Sequence, residues 1–319
     1  MSKIRILAND GIDETGKTML EEAGFEVVTT HYKADELEAQ LKTFDAITVR
    51  SATQVHQALI DNCPNLKVIG RGGVGMDNID VAYAREKGLA VYNTPAASSR
   101  SVAELVTAHA FTLMRQLHLA NRAMPVTGNS EFAKLKKQCS EGNELLGKTI
   151  GIIGFGRIGQ EVARIALGLG MNVVASDPFV KEATIIISIP GAAQTISVHI
   201  PTTNIQSLLN QSDIITIHIP KADKPIIGKD ELTTLKKGVI LINTARGGVF
   251  DEDALIEGLN AGQIGGAGLD VFIGEPTPRM DILTHPKISL TPHVGGSTTE
   301  AQENVGRELA GLIINHFIK

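Results

Sequence analysis

Short runs of β-branched and aliphatic residues alternate along this chain with longer stretches whose apolar positions recur every three or four residues. "IRILAN" (4–9), "FEVVTTH" (from Phe25), "AITVRS" (from Ala46), "LKVIG" (from Leu66) and "LAVYN" (from Leu89) read as strands. Between them "ETGKTMLEEAG", "ADELEAQLK", "VHQALIDNC" and "DVAYAREKG" read as helices, the first and last closed by a glycine. Strands separated by helices pair in parallel through right-handed crossovers. One long helical pattern then runs from about Ser98 to Met124 and leads into the polar stretch "TGNSEFAKLKKQCSEGNE". A second, more regular series follows: "TIGIIG", "MNVVASD", "DIITIHIP", "GVILINTA", "GGAGLDVF" and "ISLTPH". The last helical pattern, Thr299 to Phe317, carries apolar Val305, Leu309, Leu312, Ile313 and Ile314, and the first unit is the surface it is expected to cover. The expected architecture is α/β, with two doubly wound parallel-sheet domains, residues 1–96 with 291–319 and residues 97–290.

Composition narrows the setting. The chain has 319 residues, room for two domains and a sizeable core. Its net charge is −5 with no basic block, which argues against nucleic acid as a partner. Cys63 and Cys139 are too few for a disulfide framework and suit a reducing cytosol. The opening "MSKIRILAND" does not read as a signal peptide, and no apolar run approaches the ~20 residues that span a bilayer. A cytoplasmic protein with no membrane partner is expected.

"GIIGFGRIGQEVARIALGLGMNVVASDP" carries G-x-G-x-x-G at Gly154, Gly156 and Gly159. The motif alone is weak, but here it follows an apolar strand and opens a helix that includes Arg157 and Ile158. The first glycine allows the tight turn, the second lets backbone approach a pyrophosphate, and the third permits close helix–strand packing. The phosphate charge then sits over unpaired N–H groups at the helix start. Asp177 stands 18 residues past the last glycine, where a carboxylate accepts the ribose hydroxyls of NAD and repels the extra phosphate of NADP. The expected cofactor is NAD.

Arg246, Glu275 and His293 lie at or just beyond the C-terminal ends of expected strands, where open α/β sheets bind ligands. An oxidoreductase acting on a hydroxy acid needs these three chemistries. Arginine can hold a carboxylate bidentately. Histidine can give or take the hydroxyl proton near neutral pH. A glutamate beside that histidine favours the imidazolium and fixes its tautomer. Taken singly, each has a blander reading: a surface ion pair, a loop charge before Pro276, a buried hydrogen-bonded histidine. Their shared position on one nucleotide-binding sheet favours the chemical reading. No metal-ligand cluster is apparent, and hydride transfer needs none.

"GFGRIG", "NTARGGVFDEDAL", "GLDVFIGEP" and "TPHVGGST", with "GRGGVGMDNID" and "NTPAASSRSVAEL" in the first half, closely resemble the D-isomer-specific 2-hydroxyacid dehydrogenase family. The resemblance covers nearly the whole chain. It implies a Rossmann cofactor domain inserted within a flavodoxin-like substrate domain, with the active site in the cleft between them. It implies Arg246, Glu275 and His293 as the catalytic set, with hydride passing between nicotinamide and the substrate's C2. It further implies that His218, Pro220, Thr244, Ala245, Asp270 and Gly295 join the glycine motif at the cofactor. A homodimer through the cofactor domain and its long helix is implied as well.

The family's carboxylate-binding loop matches "GRGGVGMDNID", where the N–H groups of Val74 and Gly75 would face the substrate, with Ser51 and Ser98 as further contacts. Arg50 and Arg71, close to strand ends, suit a phosphate at the substrate's far end, or structural ion pairing. This pattern resembles the phosphoglycerate dehydrogenase branch, which oxidises 3-phosphoglycerate to 3-phosphohydroxypyruvate at the entry to serine biosynthesis. Because the sequence stops at Lys319, a C-terminal regulatory domain and serine feedback through it are not expected. Ser98 replaces the Asn of many relatives, and the segment before "GNELLGK" lacks their Trp. "ATIIISIPGAAQTISVHIPTT" is longer than the usual crossing and reads as an extra β-hairpin near the adenine end of the cofactor, without a catalytic role; a dimer contact or a regulatory surface is the alternative. Competing activities are hydroxypyruvate or glyoxylate reduction, D-lactate or D-2-hydroxyglutarate oxidation, and, in a different class, an NAD-binding corepressor-like interaction protein.

Overall fold

The computed structural model describes residues 3–318; residues 1, 2 and 319, the outer ends of the expected first domain, lie outside the described residues. The chain divides into two compact units, residues 1–99 with 296–319 and residues 100–295. The second division falls past the expected residue 290. The reason is local: the N–H groups of Val294 and Gly295 donate to the Asp270 carboxylate, which ties that loop to the second unit.

In the first unit, β1 (Arg5–Ala8), β2 (Glu26–Val28), β3 (Ala46–Val49), β4 (Val68–Arg71) and β5 (Ala90–Asn93) form one parallel sheet. Its order, β2-β1-β3-β4-β5, is that of flavodoxin-like sheets. Parallel strands covered on both faces read as continuous apolar runs, and Ile6, Leu7, Ile47, Val68 and Ile69 are fully buried. The helix Glu14–Glu22 begins where the Asp13 side chain accepts the Thr15 N–H at 2.9 Å. Against it packs the terminal helix Thr299–Ile318, with Val305, Leu309 and Ile313 buried. Each such side chain contributes about 1.5–3 kcal/mol of burial. Gly16 and Gly306 set how close the two helices come: a Cβ on Gly16 would lie 2.6 Å from the Gly306 carbonyl oxygen.

In the second unit, β6 (Thr149–Ile153) and β7 (Asn172–Ser176) precede the antiparallel pair β8 (Glu182–Ile187) and β9 (Ile196–Pro201). Then come β10 (Ile214–Ile217), β11 (Val239–Asn243), β12 (Ile264–Leu269) and β13 (Ile288–Leu290). The six-stranded parallel sheet runs β13-β12-β11-β10-β6-β7, so the order reverses between β6 and β10. The expected hairpin is present as β8 and β9. Ile185 and Ile200 bury its inner face beside the helix Arg157–Gly168. Just past β9, Thr202 makes one parallel bridge to Ala175 of β7. The hairpin thus occupies the place beyond the β7 edge where a doubly wound sheet of this kind carries its third strand.

The single helix expected from Ser98 to Met124 is two, Ser99–Met114 and Leu117–Thr127. Gln116 sits between them in the left-handed region at φ 52, and the freed Met114 carbonyl accepts the Asn143 N–H at 2.9 Å. No helix among the described residues is long and apolar enough to cross a membrane.

Candidate functional site

The register of the second sheet levels the C-terminal ends of five strands. Ile153 pairs with Ile217, Ile217 with Asn243, Asn243 with Leu269, and Leu269 with Leu290. All the site residues expected in this unit leave from that edge or, with Asp177, from the end of β7 beside it. Gly154 follows β6, and His218 and Pro220 follow β10. Thr244, Ala245 and Arg246 follow β11, Asp270 and Glu275 follow β12, and His293 and Gly295 follow β13.

At the point of strand reversal the glycines have separate reasons. Gly154 has φ 88, and a Cβ there would collide with the His218 carbonyl across the crevice. A Cβ on Gly159 would strike the Gly154 carbonyl, so the helix Arg157–Gly168 can sit down on the turn only with glycine there. Gly156 has no heavy atom within 4 Å of its Cβ position, which leaves backbone open to an approaching group. The first N–H groups of that helix, at Arg157 and Ile158 among others, have no carbonyl a turn earlier to bond and can receive an anion.

Two buried polar atoms at the same edge lack a hydrogen-bond partner among the described residues, His218 Nδ1 and Thr244 Oγ1. Part of His218 reaches the surface, yet its Nδ1 is enclosed; Nε2 lies 3.0 Å from Thr216 Oγ1, and burial pulls the imidazole pKa down to about 3. Asp177 is more committed than the sequence suggested. Its Oδ2 accepts the Phe155 N–H at 2.7 Å and its Oδ1 accepts those of Phe179 and Val180 at 2.7 and 3.0 Å. Burial pushes this carboxyl upward, but the three backbone donors outweigh it and hold the pKa below the usual range. A carboxylate has about four acceptor positions, so capacity for a ribose hydroxyl remains. An open glycine cradle, a helix start, a carboxylate and two unpartnered buried groups together fit a dinucleotide.

Further along the edge, His293 Nδ1 stands 2.7 Å from Glu275 Oε2, and Glu275 Oε1 accepts the Phe272 N–H at 2.8 Å. His293 itself has φ 55, an uncommon conformation for a residue other than glycine. Asp270 holds the loop on both sides of it. Its Oδ1 accepts from the Thr291 hydroxyl at 2.6 Å and the Val294 N–H at 2.8 Å, and its Oδ2 from the Gly295 N–H at 2.9 Å. Arg246 is mounted by Asn243, whose side chain accepts the Ala245 N–H at 3.0 Å and donates to the Arg246 carbonyl at 2.8 Å. The Arg246 guanidinium donates to the Ala245 carbonyl at 2.7 Å. A Cβ on Gly247 would collide with the Phe272 carbonyl, so the arginine's loop lies directly against the loop that carries Glu275. The arrangement can hold an anion and move a proton beside a nucleotide.

In the first unit, Arg50 follows β3 and Arg71 ends β4, with Val49 paired to Arg71. The Arg50 backbone is pinned at both ends: its N–H donates to Asp10 Oδ2 at 2.7 Å, and its carbonyl accepts from Asn78 Nδ2 at 2.8 Å. The Arg71 guanidinium folds over Gly73, where any added Cβ would collide with it, and donates to the Gly72 carbonyl at 3.0 Å. Val74, exposed, and Gly75 follow in a loop held by Asn93, which donates to the Val74 carbonyl at 2.7 Å, and by Thr94, which accepts the Gly73 N–H at 2.7 Å. Ser51 is exposed, and Ser98 is buried beside Gly296.

Sequence reasoning missed the residues that hold these groups, namely Asn243, Asp10, Asn78 and Glu252. Glu252 Oε1 accepts the Ile273 N–H at 2.9 Å, beside the Glu275 loop, and its burial raises its pKa. An Asn directly after an apolar strand was the one legible signal, since Asn bonds its own backbone two residues on. A cavity of about 420 Å³ lies elsewhere, at the opposite ends of the strands, near Lys148, Asp213 and Gly238. In the first unit a cavity of about 290 Å³ is lined by Asp10, Arg50 and Gly72.

Residues 107–295 match the family described as "D-isomer specific 2-hydroxyacid dehydrogenase, NAD binding domain". The hydroxypyruvate reductase of Thermotoga maritima is 40% identical, over 99% of both chains. The D-3-phosphoglycerate dehydrogenase of Methanocaldococcus jannaschii is also 40% identical, over 97% of this chain and 57% of its own length. The chain thus spans little more than half of that relative. The crystal structure of NAD+-bound 3-phosphoglycerate dehydrogenase from Entamoeba histolytica superposes with a TM-score of 0.76 at 26% identity, over all of this chain and 96% of that one.

Proposed function

The chain belongs to the D-isomer-specific 2-hydroxyacid dehydrogenase family, and on that premise we propose that it oxidises D-3-phosphoglycerate to 3-phosphohydroxypyruvate. The β6–β10 reversal would hold NAD, which would supply the hydride acceptor for the substrate's C2. His293 takes the proton of the C2 hydroxyl, and returns it in the reverse direction, while Glu275 offsets the charge that forms on the imidazole. Arg246 grips the substrate carboxylate as a bidentate pair. Gly154, Gly156, Arg157, Ile158 and Gly159 receive the pyrophosphate, Asp177 takes a ribose hydroxyl, and His218, Pro220, Thr244, Ala245, Asp270 and Gly295 line the remaining cofactor surface. Val74 and Gly75 offer N–H groups to the substrate, with Ser51 and Ser98 as further polar contacts.

The observation that carries the phosphate assignment is the β3–β4 register. It brings Arg50 and Arg71 to neighbouring strand ends, on opposite faces of the sheet, and two cations at one sheet edge suit a dianion better than a neutral hydroxymethyl group. A cytoplasmic homodimer at the start of serine synthesis completes the reading. The apolar surface on and after the two helices of residues 99–127 supports the dimer: Phe111 is 40% exposed, Val126 80% and Phe132 59%.

A second reading, reduction of hydroxypyruvate, is favoured by the Thermotoga relative, which matches end to end. NADH oxidation with 3-phosphohydroxypyruvate and with hydroxypyruvate, by wild type and by Arg50→Ala, separates the two. The phosphate reading expects a preference for the phosphorylated acid that falls roughly 10- to 100-fold in the variant, the value of one charge-assisted bond. Equal kcat/KM for the two acids would leave only the coarser dehydrogenase.

A further inference from the structure

His109 lies in the helix Ser99–Met114 and is 2% exposed. A lone histidine on an apolar helix is most simply a packed core residue. This one is placed more specifically. Its Nδ1 lies 2.9 Å from Ser289 Oγ, on β13, and its Nε2 lies 3.2 Å from Thr291 Oγ1, just past that strand. Thr291 Oγ1 lies in turn 2.6 Å from Asp270 Oδ1, the carboxylate that clamps the loop on both sides of His293. Close approach of helix and sheet is required for this chain of contacts, and Gly268 of β12 provides it: a Cβ there would sit 2.8 Å from the His109 Cβ.

The direction of each bond follows from what each group can do. A carboxylate only accepts, so the Thr291 hydroxyl spends its single proton on Asp270. The Thr291 oxygen is then an acceptor for His109, and His109 must carry a proton on Nε2. Burial lowers the His109 pKa more than the nearby Asp270 charge raises it, which keeps the ring neutral. A neutral ring protonated at Nε2 has an acceptor at Nδ1, and the Ser289 hydroxyl donates to it. Ser289, His109, Thr291 and Asp270 therefore form one line of donors pointing at the clamp.

We propose that His109 is a positioning residue for the reaction: as an Nε2–H donor to Thr291 it orients the hydroxyl that fixes Asp270, and through Asp270 the left-handed loop that presents His293. The proposal rests on His293 being the proton-handling group, but not on which 2-oxo acid is the substrate.

The test uses the full-length enzyme and whichever 2-oxo acid the wild type reduces. His109→Leu removes both polar contacts at similar volume. It is expected to lower kcat about tenfold, with a smaller rise in the Kd for NADH because Asp270 also borders the cofactor. His109→Gln, whose amide can donate and accept, is expected to recover kcat to within threefold of wild type. Thr291→Val should match His109→Leu, and the double variant should lose no more than either single one, because both break the same line. A measurement independent of any variant is the 15N spectrum of the His109 ring at neutral pH, expected to show the neutral Nε2–H tautomer. An Nδ1–H tautomer, additive losses in the double variant, or equal kcat in the Leu and Gln variants would overturn the proposal. If His293→Asn retained full activity, the proton-transfer reading would fail separately, while the tautomer result would still stand or fall alone.

Discussion

Glu275 uses one carboxylate oxygen to bind the His293 ring at 2.7 Å and the other to hold the Phe272 backbone N–H at 2.8 Å. The acid that partners the histidine is thus also fixed to the loop that follows β12. With Nδ1 engaged, Nε2 is the ring nitrogen left for proton exchange. Glu275→Gln keeps an acceptor for Phe272 but removes the charge that offsets an imidazolium. We expect kcat to fall roughly 100-fold, within the range for general acid–base groups. Steady-state kinetics across pH, alongside a melting curve, check this; an unchanged kcat would remove Glu275 from the mechanism.

Arg246 has a planar fork and a mount of two Asn243 hydrogen bonds. Lysine offers only a point charge. Arg246→Lys should therefore lower kcat/KM for the 2-oxo acid by about 2 kcal/mol or more, within the usual cost of a charged hydrogen bond. NADH affinity, followed by fluorescence titration, should hardly move. Comparable losses in both would place the arginine at the cofactor instead.

Gly154 leaves no room for a side chain, having positive φ and the His218 carbonyl opposite it. Gly154→Ala should widen the β6–β10 crevice and weaken NADH binding at least tenfold. Gly156→Ala is the sharper control. Its Cβ meets no protein atom, so the fold should be unharmed while any loss falls on the cofactor. Calorimetric melting with and without NADH distinguishes the two.

His218 gives the second unit a sensitivity to acid. Its pKa in the fold is about 3, below the ~6.5 of an unfolded histidine, so below pH 6.5 the unfolded chain takes up a proton that the folded chain refuses. The stability this group contributes is full above pH 6.5 and is lost as pH falls toward 3, at up to about 1.4 kcal/mol per pH unit. Denaturation followed between pH 7 and 5 should show a shallower decline for His218→Asn than for wild type. The decline should persist in part, because burial also lowers His109 and His118.

Much of this was legible in the residues, and the exceptions have physical causes. Strands of both sheets announced themselves because parallel strands buried on two faces need unbroken apolar runs. The hairpin was legible because "ATIIIS" and "TISVHI" flank a glycine turn. The break at Gln116 was not, since glutamine is a good helix former and the interruption is stabilised by a distant N–H, that of Asn143. His293 was singled out from its residue type and strand end. Its φ of 55 was not legible, because the flanking residues are tied to Asp270, which follows a neighbouring strand. The same holds for Arg50, whose anchors Asp10 and Asn78 come from other parts of the chain.

The most direct measurement follows the hydride itself. D-3-phosphoglycerate deuterated at C2 is incubated with the enzyme and NAD, and the NADH formed is examined by NMR. One deuterium at nicotinamide C4 per turnover, and no reaction with the L isomer, is the result expected of D-3-phosphoglycerate oxidation by this site. NADH without deuterium, or no NADH at all while a different deuterated 2-hydroxy acid reacts, would contradict it.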